Sequence, residues 1–270
     1  LLDRGISPLT TLYHWDLPQA LQDRGGWENR DSADWFADYA TVVFTALGDR
    51  VPRWLTINEA KIIAQQGYQY GRMAPGKSDM RASGRVVHHL NLAHGQAVTA
   101  YRASPATGQS VPCLRRSPCY PADASPEAAA AANAADVLEN TLYLEPLLRG
   151  HYPTLSHPDR RFASGLESAV KDGDLAVIAT PVDFLGVNYY SPIFVDGYGQ
   201  PLQTHRISSA GWQQIYPQGL RDVLTRLGRN YGSPEILITE NGIPDDVADS
   251  SNPMDDEART TGGLDPWLDR

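Results

Sequence analysis

The chain has 270 residues, 41% of them hydrophobic and 20% charged, with a mean hydropathy of -0.38, enough apolar material to bury one large core or two small ones in water. A formal net charge of -9 and a pI near 5.2 argue against nucleic acid and anionic membrane as partners, since an acidic surface repels both, and favour a neutral small molecule. No apolar run is long enough to span a bilayer, so no membrane partner is expected, and the oligomeric state is not legible.

The N-terminus lacks the basic-then-apolar pattern of a secretory leader. The first residue is Leu1, not methionine, so the sequence leaves open a targeting segment ahead of it. Only two cysteines occur, Cys113 and Cys119, with no CxxC or Cys/His spacing that holds zinc. They read as free thiols in a reducing compartment, hence a cytoplasmic location.

In chain order, Ser7 to Tyr13 reads as a buried strand entering a His14-Trp15-Asp16 turn, and Ala33 to Leu47 carries apolar residues at helical spacing. Val51 to Ile57 is a second strand. A glycine-rich loop with Tyr68, Tyr70 and Ala74-Pro75-Gly76 follows, then a helix over Gly84 to Arg102 with Val87, Leu90, Ala93, Ala97 and Ala100 along one stripe. Ser110 to Tyr120 occupies the place of a third strand. Ser125 as N-cap with Pro126 at the first helical position then starts an alanine-rich helix to Leu148. Val182 to Tyr189 is the fourth strand, Gly219 to Leu227 a short helix, and Glu235 to Thr239 the fifth strand.

Short apolar strands alternating with helices imply parallel strands buried on both faces, either in a (β/α) barrel or in a doubly wound sheet. Polar side chains cluster at the carboxyl ends of four strands: His14, Asn58 with Glu59, Asn188 with Tyr190, and Glu240. Barrels place catalytic groups there, whereas a doubly wound sheet calls for a glycine-rich first turn, which is absent. Two strand-borne glutamates suit glycoside hydrolysis, in which one carboxyl protonates the departing oxygen while a second, ionised, faces the anomeric carbon.

Several separate stretches resemble glycoside hydrolase family 1, the β-glucosidase family: Tyr13 to Pro18, Arg24 to Trp27, Trp54 to Glu59, Gly67-Tyr68 through Gly76, His88 to Gly95, Gly186 to Tyr190, Gly211-Trp212 through Leu220, and Thr239 to Gly242, in order over roughly Leu1 to Arg259. The resemblance implies a single catalytic domain, an incomplete (β/α)8 TIM-type barrel covering about strands 3 to 7 of eight, with residues 260–270 as a tail unlike the family. The first two strands and the eighth then have no counterpart, nor do the sugar-binding residues they carry.

Residue by residue, the resemblance implies that Glu59 is the general acid/base and Glu240 the nucleophile of a retaining β-glucosidase, with no metal and no cofactor. Asn58 is similar to the residue that contacts the sugar 2-hydroxyl, and His14 to one that bonds another hydroxyl of the same ring. Asn188 and Tyr190 match the strand end whose phenol orients the nucleophile, and Trp212 resembles the aromatic platform for the leaving group. His88, His89 and His94 share a helix at spacings that also occur in metal sites, but the family uses no metal. A 6-phospho-β-glucosidase is the nearest rival, and an inactive fragment or carbohydrate-binding pseudo-enzyme is the non-catalytic one.

Two departures stand out. Ala60 replaces the proline that usually follows the acid/base glutamate. The segment Val111 to Cys119 holds two prolines and two arginines, poor material for a doubly buried strand, and suggests a local shift of reading frame. Five strands of eight leave two open edges, so the polypeptide alone is expected to be poorly soluble and slow on aryl β-glucosides.

Overall fold

A computed structural model describes residues 1–106, 109–115, 117–155 and 160–244, with the backbone alone described over 109–115. The tail at 260–270 therefore lies outside the described residues.

Five parallel strands make the main sheet, in the order β1 (Leu9–Tyr13), β2 (Arg53–Asn58), β3 (Gln109–Arg115), β5 (Leu185–Asn188), β8 (Ile236–Glu240). A small second sheet joins β4 (Cys119–Pro121), β6 (Ile193–Val195) and β7 (Pro201–Leu202) beside it. The helices in chain order are α1 (Gln19–Gln22), α2 (Ser32–Leu47), α3 (Ala60–Ile62), α4 (Met80–Ala103), α5 (Pro126–Asp136), α6 (Leu142–Arg149), α7 (Arg160–Ala169), α8 (Asp174–Ile178) and α9 (Gln218–Tyr231). Each main-sheet strand is followed by helix before the next, which forces the crossovers that parallel pairing requires. Among the described residues no helix is long and apolar enough to cross a membrane.

The expected elements are present, with shifted ends. Helix α4 begins four residues ahead of Gly84 because Asp79 caps it, its carboxylate accepting from the Arg81 and Ala82 amides at 2.8 and 3.2 Å. Ser125 caps α5 by accepting from the Ala128 amide at 3.1 Å. The single helix expected to Leu148 is broken by a π-helical turn at Val137–Thr141, and Pro146 lies inside α6. Helix α9 runs to Tyr231, beyond the expected Leu227.

The unpromising third strand does form. Its backbone pairs with β2 on one side and β5 on the other. Its register with β2 slips between Leu55↔Val111 and Asn58↔Cys113, so the irregularity falls at Pro112, where the missing N–H would interrupt a regular ladder. Arg116 and the side chains of 109–115 lie outside the described residues. Cys119 is a free thiol, and burial pushes its pKa up to about 12, which leaves it inert.

The core lies between the sheet and its helices. Trp54 of β2 and Phe44 of α2 are completely buried and meet edge to face at 5.2 Å, and Phe44 meets Tyr101 of α4 the same way at 5.0 Å. Helices α4 and α7 cross so closely that a Cβ on Gly84 would stand 2.2 Å from the Phe162 carbonyl and one on Gly165 2.1 Å from the Arg81 carbonyl. Only glycine permits that approach.

The three histidines of α4 are used as buried hydrogen-bonding groups. His94 meets the Thr56 hydroxyl at 2.8 Å, His89 the Trp27 carbonyl at 2.8 Å, and His88 bridges Asp174 at 2.8 Å and Tyr152 at 3.0 Å. Arg30 donates one bond to each oxygen of Asp174 and, with His88, keeps that carboxyl at a pKa of about 2 against its burial.

Candidate active site

Strands β1, β2, β5 and β8 end at one edge of the sheet, and the polar residues expected there converge. Strand β2 ends in Asn58, and Glu59 follows in the left-handed region at φ 47°, ψ 58°, a costly geometry for a residue with a Cβ. Its carbonyl accepts from the Ile62 amide at 2.8 Å, so the first turn of α3 helps to hold that conformation. Trp15 at the end of β1 is also left-handed, at φ 79°, and its indole donates to the Asn58 carbonyl at 3.0 Å. Two strained strand ends are thus bonded to one another.

Asn188, fully buried at the end of β5, is the hub. Its amide nitrogen donates to Glu59 Oε1 at 2.8 Å and to Asn58 Oδ1 at 3.1 Å, and its oxygen accepts from the Thr239 hydroxyl at 2.7 Å. Asn58 Nδ2 in turn lies 3.2 Å from His14 Nε2. One hydrogen-bonded chain therefore runs Thr239, Asn188, Glu59 and Asn58, His14, across strands β8, β5, β2 and β1.

On the far side of the hub, Glu240 stands opposite Asn188 in the ladder, and the Tyr189 amide donates to its carbonyl at 3.0 Å. The Tyr190 phenol donates to Glu240 Oε2 at 2.9 Å. Glu59 and Asn58 are each 2% exposed, whereas Glu240 is half-buried and His14 is open to solvent, so Glu59 and Asn58 form the floor and His14 the rim. Trp212 is 51% exposed and meets Tyr190 edge to face at 5.9 Å.

A cleft of about 560 Å³ opens beside them, lined by Lys61, Gln65, Gln66, Met73, Ser191 and Trp212. Lys61 is ion-paired with Glu139, one charge from the helical stretch after Glu59 and the other from the π-helical turn after α5. Among the described residues no cluster of histidine, cysteine, aspartate or glutamate could hold a metal ion.

The structure brings Glu59, Asn58, His14 and Asn188 into one bonded array and pairs Tyr190 with Glu240 on the adjoining strand ends, with Trp212 against Tyr190. Three residues that sequence reasoning did not single out belong to its framework. Thr239 anchors the hub. Gln213, buried beside Trp212, donates to the Tyr190 and Gly242 carbonyls at 3.3 and 2.5 Å. Gln214 accepts from the amides of Thr204 and His205 at 2.8 and 3.1 Å. Thr239 was signalled by its place beside Glu240, whereas nothing in the sequence marks a glutamine whose partners are mostly main-chain groups that the fold brings to it.

An unlike-environment pair of carboxyls beside an open cleft is suited to acid/base and nucleophilic work on a neutral substrate. Comparison with known proteins agrees in kind. The sequence pattern of glycosyl hydrolase family 1 matches residues 1–261. A β-glucosidase A of Acetivibrio thermocellus is 41% identical over 252 residues, covering 90% of this chain and 56% of the relative. A 6-phospho-β-glucosidase of Bacillus subtilis is 33% identical over 271 residues, again covering 90% of this chain and 56% of the relative. The family 1 β-glucosidase structure from Thermotoga maritima superposes with a TM-score of 0.83 at 36% identity, over 93% of this chain and 57% of that one. The same enzyme is also known in complex with deoxynojirimycin. The chain thus spans little more than half the length of the relatives it matches.

Proposed function

The chain belongs to glycosyl hydrolase family 1 and forms part of a (β/α)8 barrel, and from that premise we propose that it carries the catalytic pair of a retaining β-glucosidase. The supporting observation is the bonded array that joins Glu59 at the end of β2 to the strand of Glu240 through Asn188 and Thr239. In this reading Glu59 begins protonated and gives its proton to the glycosidic oxygen, while the Glu240 carboxylate, held in place by the Tyr190 phenol, attacks the anomeric carbon. This reading requires the two carboxyls to stand about 5 Å apart, the spacing of a pair that acts by double displacement.

Esterifying Glu240 removes its charge, so Glu59 ionises readily and takes a proton from the water that releases the sugar. Asn58 holds the sugar 2-hydroxyl by a bond that tightens as charge grows on the ring, and His14 holds another hydroxyl at the rim. Trp212 stacks on the leaving group, with the polar cleft taking whatever lies beyond it.

The test is the anomer first formed from a p-nitrophenyl β-glucoside, followed by proton NMR. β-Glucose must appear first, and Glu59→Ala must lose turnover yet yield β-glucosyl azide when azide is supplied, because a small anion can replace the missing base. α-Glucose as first product would overturn the reading. A second reading, a 6-phospho-β-glucosidase, draws on relatives of that activity at similar coverage. A preference for the 6-phosphorylated substrate in the same assay decides between the two.

A further inference from the structure

Thr239 has no part in the chemistry proposed above, yet its side chain closes the hydrogen-bonded array. An amide can present either end to its neighbours, and the Thr239 hydroxyl occupies the Asn188 oxygen at 2.7 Å. That leaves the Asn188 nitrogen, with two protons to give, facing Asn58 Oδ1 and Glu59 Oε1. We propose that Thr239 is a positioning residue that fixes the orientation of the Asn188 amide and, through it, which oxygen of Glu59 holds the transferable proton. The proposal rests on the reading of Glu59 as the acid/base.

The consequence is directional. An oxygen that accepts an amide proton at 2.8 Å is the carbonyl-type oxygen of a neutral carboxyl, so the proton of Glu59 sits on Oε2. With Asn58 Oδ1 also accepting, Asn58 Nδ2 is the donor to His14 Nε2, which fixes the His14 proton on Nδ1. One hydroxyl on the nucleophile's strand thereby sets proton positions at the acid and at the rim.

Other charged groups surround Glu59, and a test must keep them constant. His14 faces it through Asn58 from β1, Lys61 with its partner Glu139 from the helical side, and Glu240 with Tyr190 from β8 and the end of β5. Strand β3 places Cys113 and Arg115 at the register positions of Asn58 and Asn188. None of these changes when only the Thr239 hydroxyl is removed.

Thr239→Val keeps the β-branched shape and deletes the hydroxyl, and Thr239→Ser keeps the hydroxyl. The whole chain is prepared with glutamate carrying ¹³C at the side-chain carboxyl, the Glu59 signal being assigned by its loss in Glu59→Gln. Freed from Thr239, Asn188 no longer holds its donor on the ionised Glu59, so the Glu59 titration midpoint in Thr239→Val rises by about one pH unit. The basic limb of kcat/KM for p-nitrophenyl β-glucoside moves up by the same amount, and Thr239→Ser retains the original midpoint. Thr239→Ala carries the same expectation should the valine variant fail to fold.

A Glu59 midpoint in Thr239→Val within about 0.2 pH unit of the unaltered chain overturns the proposal, as does a serine variant that shifts as far as valine. Failure of the acid/base reading is distinguishable, because Glu59→Gln would then retain turnover while the midpoint in Thr239→Val still moved.

Discussion

Acidification from pH 7 to pH 5 should cost this protein a large part of its stability, and the cause is two buried imidazoles. Burial lowers the pKa of His89 from 6.5 to about 4 and that of His94 from 6.5 to about 3. In the unfolded chain both titrate near 6.5, so below that pH the unfolded state binds protons that the folded state refuses. Stability is therefore lost as pH falls from 6.5 toward 4. At pH 5 the penalty is about 2 kcal/mol for each histidine, about 4 kcal/mol together, against a total of roughly 5–15 kcal/mol for an ordinary domain. His88, whose pKa burial also lowers despite Asp174, adds in the same direction.

The depressed carboxyls do not contribute in that window. Asp174, at about 2, and Glu28, lowered by Lys77 and Arg85 against its burial, give up their stabilisation only below the unfolded carboxylate range. The assay is urea unfolding followed by tryptophan fluorescence at the two pH values. With a denaturant slope of about 3 kcal/mol per molar, the midpoint should drop by more than 1 M. His94→Gln lowers stability at pH 7 but should lose about half of the pH effect. A midpoint that is the same at pH 5 and pH 7, or a His94→Gln variant that keeps the full drop, refutes the reasoning.

Other expectations follow from the site and the sheet. Tyr190→Phe deletes the 2.9 Å donor to Glu240 and keeps the ring against Trp212. It should lower kcat/KM ten- to a hundredfold, about 1.5–3 kcal/mol, with an unchanged kcat/KM counting against it. Arg226→Met leaves the buried Asp136 without its two-bonded partner and should cost about 3 kcal/mol in thermal unfolding, whereas a loss below 1 kcal/mol contradicts the pairing. Among the described residues, β1 and β8 each pair along one side only, and Leu9 and Ile238 on them are exposed. The chain should therefore self-associate, and Leu9→Lys should raise the monomer fraction in sedimentation velocity; no change would argue that the edges are not the sticky element.

Much of the architecture was legible because helix and strand carry different periods and because the caps are local. Ser125-Pro126 announced α5 where it begins. The break at Val137–Thr141 was not legible, since no glycine or proline within it marks a change from the alanine-rich helix that precedes it. β3 shows the converse: its composition argues against a strand, yet flanking strands fix its backbone and the register slip absorbs Pro112. The site was readable where residues lie beside strand ends, as with Asn58, Glu59, Asn188 and Glu240. The orientation imposed by Thr239 and the staple made by Gln213 were not, because both depend on which remote atoms the fold brings within 3.5 Å.

In the proposed reaction Glu240 attacks the anomeric carbon. Incubation with a 2-deoxy-2-fluoro-β-glucoside bearing a good leaving group, followed by peptide mapping, measures this directly, since the fluorine slows release of the sugar–enzyme ester. One fluoroglucosyl unit should be found on Glu240, and none in Glu240→Gln. An adduct on Glu59 or elsewhere, or no adduct on the unaltered chain, would contradict the assignment.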